Sequence, residues 1–421
     1  MKVLWITNNI FPDLSKALGN EIPVVGGWMY GLANDLVSRG IDLTVATADR
    51  HVNQYTGKIN GVSYLLLKSK KSLTEYDASL VLQWKNLIEE KKPDVVHIHG
   101  TEKALGLSLL TAEPKLNYVV SIQGLISVCS RYYTGGIPNS ELKKHTTFRD
   151  IIKQDTILQA KRKFQKRGDL VEKKYFELAQ NFIGRTQWDF DHTKTLNPNA
   201  TYHFCNESLR DSFYSSKKWD IKKIQNHTIF LSQALYPIKG LHQVIAAAAL
   251  LKNEFPNLKL RVAGHNIITS STLKDKIATG GYGSYIRHLI RKFDLKNNIE
   301  FTGLLSENQM VTEYLNCSVF ICPSSIENSP NSLGEAQLLG TPCIASYSGG
   351  IPSMIEHERT GLLYRFEEVE MMAQLIKRVF KDKVLSQKLS KNGIEAASKR
   401  HNREVNTSKT LEIYQLVSSS K

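Results

Sequence analysis

No stretch of this sequence approaches the roughly 18–20 consecutive apolar residues that a bilayer-spanning helix requires. Its start, Met1 to Thr7, is apolar, but Asn8-Asn9 and then Pro12-Asp13 cut the run too short for a secretory leader. A cytoplasmic location is the expectation. Five cysteines (Cys129, Cys205, Cys317, Cys322 and Cys343) are an odd number without metal-like pairing, so a disulfide framework is not expected. Cys317 and Cys322 flank the short apolar run Ser318–Ile321, where buried thiols pack as small apolar groups. There is no Gly/Pro-, Gln- or Ser-rich tract and no fixed-period repeat, which sets aside disordered and solenoid architectures. No nucleic-acid-binding motif or base-stacking aromatic pattern accompanies the basic residues, and nucleic acid is not an expected partner.

What is present in excess is positive charge. The formal net charge is +15, with a pI near 9.4, enough to draw an anionic partner. Residues 141–176 hold eleven Lys/Arg against five Asp/Glu, including Lys161-Arg162-Lys163 and Lys166-Arg167. Two readings stand for this cluster. One is a solvated helix face; the other is attraction to anionic lipid head groups, or to the diphosphate of a lipid-linked acceptor.

At 421 residues the chain exceeds one ordinary α/β core and suits two domains. Strand and helix signals alternate through the first half. Val3–Thr7, Asp42–Ala46, Val95–His99, Tyr118–Ile122 and Phe182–Gly184 read as buried strands, with helices at Trp28–Ser38 and Leu80–Glu89. The alternation restarts near Thr228, with strands at Thr228–Ser232, Leu258–Ala263, Ile299–Phe301, Val319–Cys322 and Cys343–Ser346. Helices are expected at Gly240–Glu254, Ser284–Phe293 and Ser332–Leu339. This pattern predicts two Rossmann-like α/β domains facing across a cleft. The expected division is residues 1–205, 206–400, and a C-terminal helix in 401–421 packing back on the first domain. In open parallel sheets, ligands bind beyond the carboxyl ends of the strands.

The most informative segment is Pro323 to Ala336. A strand ends in a polar turn, and a helix follows that Gly340 and Pro342 stop. The free N–H groups and positive dipole at such a helix start form a seat for a diphosphate. Glu327 precedes the seat and Glu335 lies one to two turns into the helix; carboxylates accept from sugar and ribose hydroxyls. By spacing alone the pair is weak, since two glutamates eight residues apart are common.

The segment Glu327-x7-Glu335, with Leu339-Gly340-Thr341-Pro342 and Gly349-Gly350-Ile351-Pro352, resembles the donor site of the family 4 glycosyltransferases. These are retaining, metal-independent enzymes of the GT-B fold. The resemblance implies that Glu327 contacts the transferred sugar and Glu335 the ribose. It also implies that the backbone of Ser329, Pro330, Asn331, Ser332 and Leu333 faces the sugar and diphosphate. A second match is Ser232 to Gly240, where Lys239 corresponds to the family's lysine beside the leaving diphosphate. Gln233 stands where an arginine is usual; its amide donates but carries no charge. Gly264-His265 resembles the glycine turn facing the nucleotide, and Gly26-Gly27 resembles the paired glycine that lets amides approach the donor phosphate.

In the first half, Gln123-Gly124 stands where the family often has a histidine before the glycine. Glutamine cannot act as an acid or base near neutral pH. The absence of a base there agrees with same-face chemistry, in which the leaving phosphate accepts the acceptor's proton. Arg185 and Asp189, in Gly184 to Asp189, are candidate acceptor or cleft residues. Asp189-x-Asp191 has the form of a metal motif of a different transferase fold, and His97-x-His99 could form a pair of metal ligands; no third ligand stands at a suggestive spacing, and no metal or cofactor is expected.

The resulting expectation is a retaining glycosyltransferase. It would move a hexose or N-acetylhexosamine from a nucleoside-diphosphate sugar to a glycan or lipid-linked acceptor, in cell-surface polysaccharide assembly, as a cytoplasmic protein at the inner face of the membrane. Two rivals stay open: a nucleotide-sugar 2-epimerase of the same fold, and a non-catalytic GT-B binding protein.

Overall fold

The computed structural model describes residues 1–20, 27–52, 54–268 and 280–419. The chain divides into two compact units. The first comprises Met1–Val128, Gln165–Arg210 and Arg400–Lys421, and the second Cys129–Phe164 and Asp211–Lys399.

The first unit is built on an eight-stranded sheet in the order β3-β4-β2-β1-β5-β6-β7-β8. Its strands are β1 (Lys2–Ile6), β2 (Asp42–Asp49), β3 (Tyr55–Ile59), β4 (Val62–Lys68), β5 (Val95–His99), β6 (Tyr118–Ser121), β7 (Asn181–Gly184) and β8 (Thr201–Phe204). All pairings are parallel except β3 with β4, a hairpin closed by Asn60 and Gly61, both left-handed. Alternate residues serve opposite faces. Leu4, Ile6, Val96, Ile98 and Val120 enter one apolar cluster, while Val3, Trp5, Val95 and Val119 enter another. Burial on both faces is why these strands read as continuous apolar runs. The helix Arg403–Ser419 lies in this unit and contributes Ile413, Tyr414 and Val417 to the second cluster. The Tyr414 hydroxyl accepts from the Trp5 indole at 2.8 Å and bonds His97 Nδ1 at 2.6 Å.

The second unit has six parallel strands in the order β11-β10-β9-β12-β13-β14. They are β9 (Thr228–Leu231), β10 (Lys259–Ala263), β11 (Ile299–Gly303), β12 (Val319–Cys322), β13 (Cys343–Ser346) and β14 (Leu362–Tyr364). Ile229, Leu231 and Val262 pack under the alanine-rich helix Leu241–Leu251, which buries Val244, Ile245, Ala247 and Ala248 in the same core. Ile137 and Leu142 join that core from far upstream. This is the physical reason residues 129–164 belong to the second unit, whereas a division at 205/206 would place them in the first. Strand order reverses between β9 and β12, and in open α/β sheets that is where a crevice forms at the carboxyl ends.

Candidate functional site

Lys239 and Glu327 come together at that reversal. After β9 the chain runs through Ser232 and Gln233 into a short 3-10 turn, Pro237–Lys239, and Gly240 then starts the helix Leu241–Leu251. Gly240 has φ +72°, and a Cβ there would stand 1.8 Å from the Pro323 carbonyl oxygen. Only glycine lets the turn press against the end of β12. The contact is locked by the Ser325 amide donating to the Ile238 carbonyl at 2.8 Å.

Across this contact the Lys239 ammonium pairs with the Glu327 carboxylate, which also accepts from the Ser324 hydroxyl at 2.9 Å. Burial opposes the ammonium charge, yet the Glu327 carboxylate outweighs it and raises the lysine pKa above its ordinary value. The lysine is therefore fully cationic at neutral pH. Glu327 is itself gripped through its backbone. Gly350 donates to the Glu327 carbonyl at 2.8 Å. Gly349, at φ +52°, brings its own backbone so close that a Cβ would lie 1.9 Å from that oxygen.

Beyond Glu327, Ser329 and Pro330 lead into the helix Asn331–Leu339, with Pro330 as its N-cap residue. The Leu333 and Gly334 amides donate to the Pro330 carbonyl at 3.0 and 3.4 Å, and no acidic residue stands in this first turn. An unneutralised positive helix end therefore faces the same strand termini. Ser329 and Leu333 are buried, while Asn331 and Ser332 are partly accessible. Glu335 is buried, with the Tyr314 hydroxyl 3.4 Å from its carboxylate and bonded to the Ser332 carbonyl at 3.1 Å. Gly264 follows β10 at φ +105°, tied to Gly303 through its amide at 2.9 Å, and leaves His265 exposed. Gln233 is exposed as well.

In the first unit, Gln123, Arg185 and Glu207 follow β6, β7 and β8 and meet at the strand ends. Arg185 pairs with Glu207, Gln123 donates to Glu207 at 2.8 Å, and Arg185 donates to the Gln123 oxygen at 3.3 Å. Arg185 and Glu207 help line a small cavity with His99, Ser121 and Trp28. Asp189 is wholly buried. It accepts from the Arg185 amide at 3.0 Å, the Thr186 amide at 3.2 Å and the Tyr202 hydroxyl at 2.5 Å, completing a capping box for the helix Gln187–Leu196. Asp191, two residues on, is exposed. His97 bonds Tyr414 and Ser121 and stacks on His99, with ring centroids 3.8 Å apart. Burial holds both imidazoles well below their ordinary pKa, His99 at about 3.

Gly26 lies outside the described residues; Gly27 is the first residue of the helix Gly27–Ser38. Sequence reasoning missed Glu207 and Ser324. Glu207 lies in a polar stretch without period, and Ser324 is one serine among several, so neither carried a local signal.

Residues 214–396 match the family model described as glycosyl transferases group 1. That match lies within the second unit. Over 202 residues the chain is 25% identical to the uncharacterized glycosyltransferase YqgM of Bacillus subtilis (strain 168), which covers 48% of this chain and 52% of that one. The chain thus spans about half the length of the curated relatives it matches. Sucrose-phosphate synthase from Thermosynechococcus elongatus superposes over 100% of both chains with a TM-score of 0.72 at 16% identity. HepE from Anabaena, solved in complex with UDP-glucose, covers 99% of this chain and 100% of its own, with a TM-score of 0.65 at 15% identity. The fold is GT-B. Among the described residues, no helix is long and apolar enough to cross a membrane.

Proposed function

We propose that the chain is a retaining glycosyltransferase that moves a hexose or N-acetylhexosamine from a nucleoside diphosphate to a glycan or lipid-linked acceptor. The observation that carries the proposal is the Lys239–Glu327 pair, set beside the open start of the helix Asn331–Leu339 at the β9/β12 reversal. A donor diphosphate entering there exchanges one carboxylate for phosphate oxygens on Lys239. Glu327 is then released toward the sugar hydroxyls, and Glu335 toward the ribose.

In the proposed reaction, the bond from the anomeric carbon to the phosphate oxygen breaks as the acceptor hydroxyl attacks on the same face. The acceptor's proton passes to the departing phosphate, so no protein base is required. Lys239, the Gln233 amide and the helix N–H groups stabilise the charge that develops on the diphosphate. This assigns to the protein's own donors the role that a metal fills elsewhere, and the reading includes no metal or cofactor at the donor.

A membrane-facing acceptor is supported by the helix Phe148–Ile152, where Phe148, Ile151 and Ile152 are 73%, 62% and 65% exposed. It adjoins the helix Ile157–Arg167, which packs Ile157 and Leu158 on the second core and exposes Arg162, Lys163 and Lys166. Apolar side chains beside a basic face suit an anionic lipid surface. We place the protein in cell-surface polysaccharide assembly, at the inner face of the membrane.

A thermal-shift screen against UDP-, GDP-, ADP- and dTDP-sugars tests the reading. At least one donor should raise the unfolding midpoint, and Glu335→Ala should abolish that rise. Stabilisation by none of them would sink the proposal, and conversion of the donor to its epimer without acceptor would move the chain to the epimerases.

A further inference from the structure

Residues 129–164 carry a second constellation, made of side chains that play no part at Lys239 and Glu327. Glu141 lies on the helix Asn139–Lys144, and His145 is that helix's C-cap residue, one turn on. His288 faces them from the helix Gly281–Lys292. One donor atom from each of the three lies within 4.8 Å of the other two. His145 Nε2 is buried, makes no hydrogen bond, and stands 3.5 Å from a Glu141 carboxylate oxygen. The other nitrogen, Nδ1, faces the Ser284 hydroxyl at 3.4 Å. The His145 and His288 rings are 5.0 Å apart, centroid to centroid.

An imidazole with one nitrogen turned to a hydroxyl and its other, buried and without a hydrogen bond, toward a carboxylate and a second imidazole is the arrangement of a metal ligand with its outer partner.

We propose that Glu141, His145 and His288 bind one divalent first-row transition ion, with a solvent molecule in the remaining position. Two imidazoles and a carboxylate suit zinc and its neighbours rather than magnesium or calcium. Zinc bonds of about 2.0–2.1 Å put tetrahedral ligands roughly 3.3 Å apart, a closure that side-chain rotation supplies from the present spacing.

The ion would act as a clip. It would join the helix Asn139–Lys144 to the helix Gly281–Lys292, where the Asp150 carboxylate already accepts from the Gly281 amide at 2.8 Å. The clipped segment backs both loops of the Lys239–Glu327 pair. The Tyr132 carbonyl accepts from the Ser325 hydroxyl at 3.0 Å, and the Gly135 carbonyl faces His242 Nε2 at 2.8 Å.

The test uses the full chain, stripped with a chelator, desalted and titrated with zinc against a chromophoric competitor. No sugar is present, so the result is independent of the proposed transfer. One zinc per chain is expected, with affinity at least about tenfold weaker in His288→Ala and in Glu141→Gln. His357→Ala, an accessible histidine on another element, should bind as the wild type does. Zinc should raise the unfolding midpoint of the wild type and leave both ligand variants unmoved. If His288→Ala does not fold, the milder Glu141→Gln decides alone. Absence of a tight site in the wild type, or unchanged binding in the ligand variants, would overturn the proposal.

Discussion

Each unit of this chain places a cation–carboxylate pair at the carboxyl ends of parallel strands, and the two pairs differ in how firmly they are held. In the second unit, Lys239 and Glu327 keep side-chain exposures of 20% and 17%. In the first, Arg185 and Glu207 keep only 5% and 10%. Arg185 is further tied to Gln123, its carbonyl accepts from Arg400 at 2.9 Å, and the Glu207 carbonyl bonds His401 at 2.7 Å. A lysine ammonium is a point charge on a flexible stem and can change partners. A guanidinium held in a plane by several acceptors is committed to them. On the proposed function, Lys239 takes up the donor because it is free to exchange its partner, a freedom Arg185 lacks.

The largest effect is expected from Lys239→Ala. Transfer should fall about a thousandfold, as for loss of one donor to developing charge. Stability should fall less than for the first-unit pair, because Glu327 keeps the Ser324 hydroxyl and some solvent access. Steady-state kinetics beside urea unfolding would separate the two effects. Glu207→Ala should do the reverse. It strands the Arg185 charge and should cost about 4 kcal/mol of stability, while a nucleotide-sugar still stabilises the second unit. Equal losses of activity and stability in both variants would remove the distinction.

A third test uses pH. His242 starts the helix behind the Lys239 turn, and burial holds its pKa down to about 4 despite the bond to the Gly135 carbonyl. The unfolded chain takes up a proton near the ordinary histidine pKa of about 6.5, while the folded chain does not until about 4. Stability contributed by the neutral ring is thus intact above 6.5 and is lost as pH falls toward 4. His242→Gln should flatten that loss by about 3 kcal/mol, as read from urea midpoints at several pH values. The smallest expected effect lies on the surface. Phe148→Asp with Ile151→Asp should weaken binding to phosphatidylserine vesicles at low salt while leaving the fold unchanged; undiminished binding would remove the membrane role of that helix.

Much of the architecture was legible in the chain. The strand Val319–Cys322 is a continuous apolar run because it is buried on both faces of its sheet. Gly40 and Gly340 mark helix ends because they take the left-handed conformation there, at φ +83° and +86°. The hairpin of β3 and β4 carried an Asn-Gly signal that the strand–helix alternation overshadowed. The placement of residues 129–164 was not legible, since it depends on Ile137 and Leu142 reaching a core whose other members lie about a hundred residues and more downstream.

The candidate site divides in the same way. Lys239, Glu327 and Glu335 stand out in the sequence through the resemblance to a donor motif, laid on a local pattern of strand, turn and helix that is weak by itself. That Lys239 meets Glu327, that Gly349 and Gly350 grip the Glu327 carbonyl, and that Asp189 is consumed in capping were decided only by the tertiary structure. Periodicity reports which face of an element is buried. It carries no record of which distant backbone lies 1.9 Å from an imagined Cβ, and that contact is what fixes the carboxylate in place.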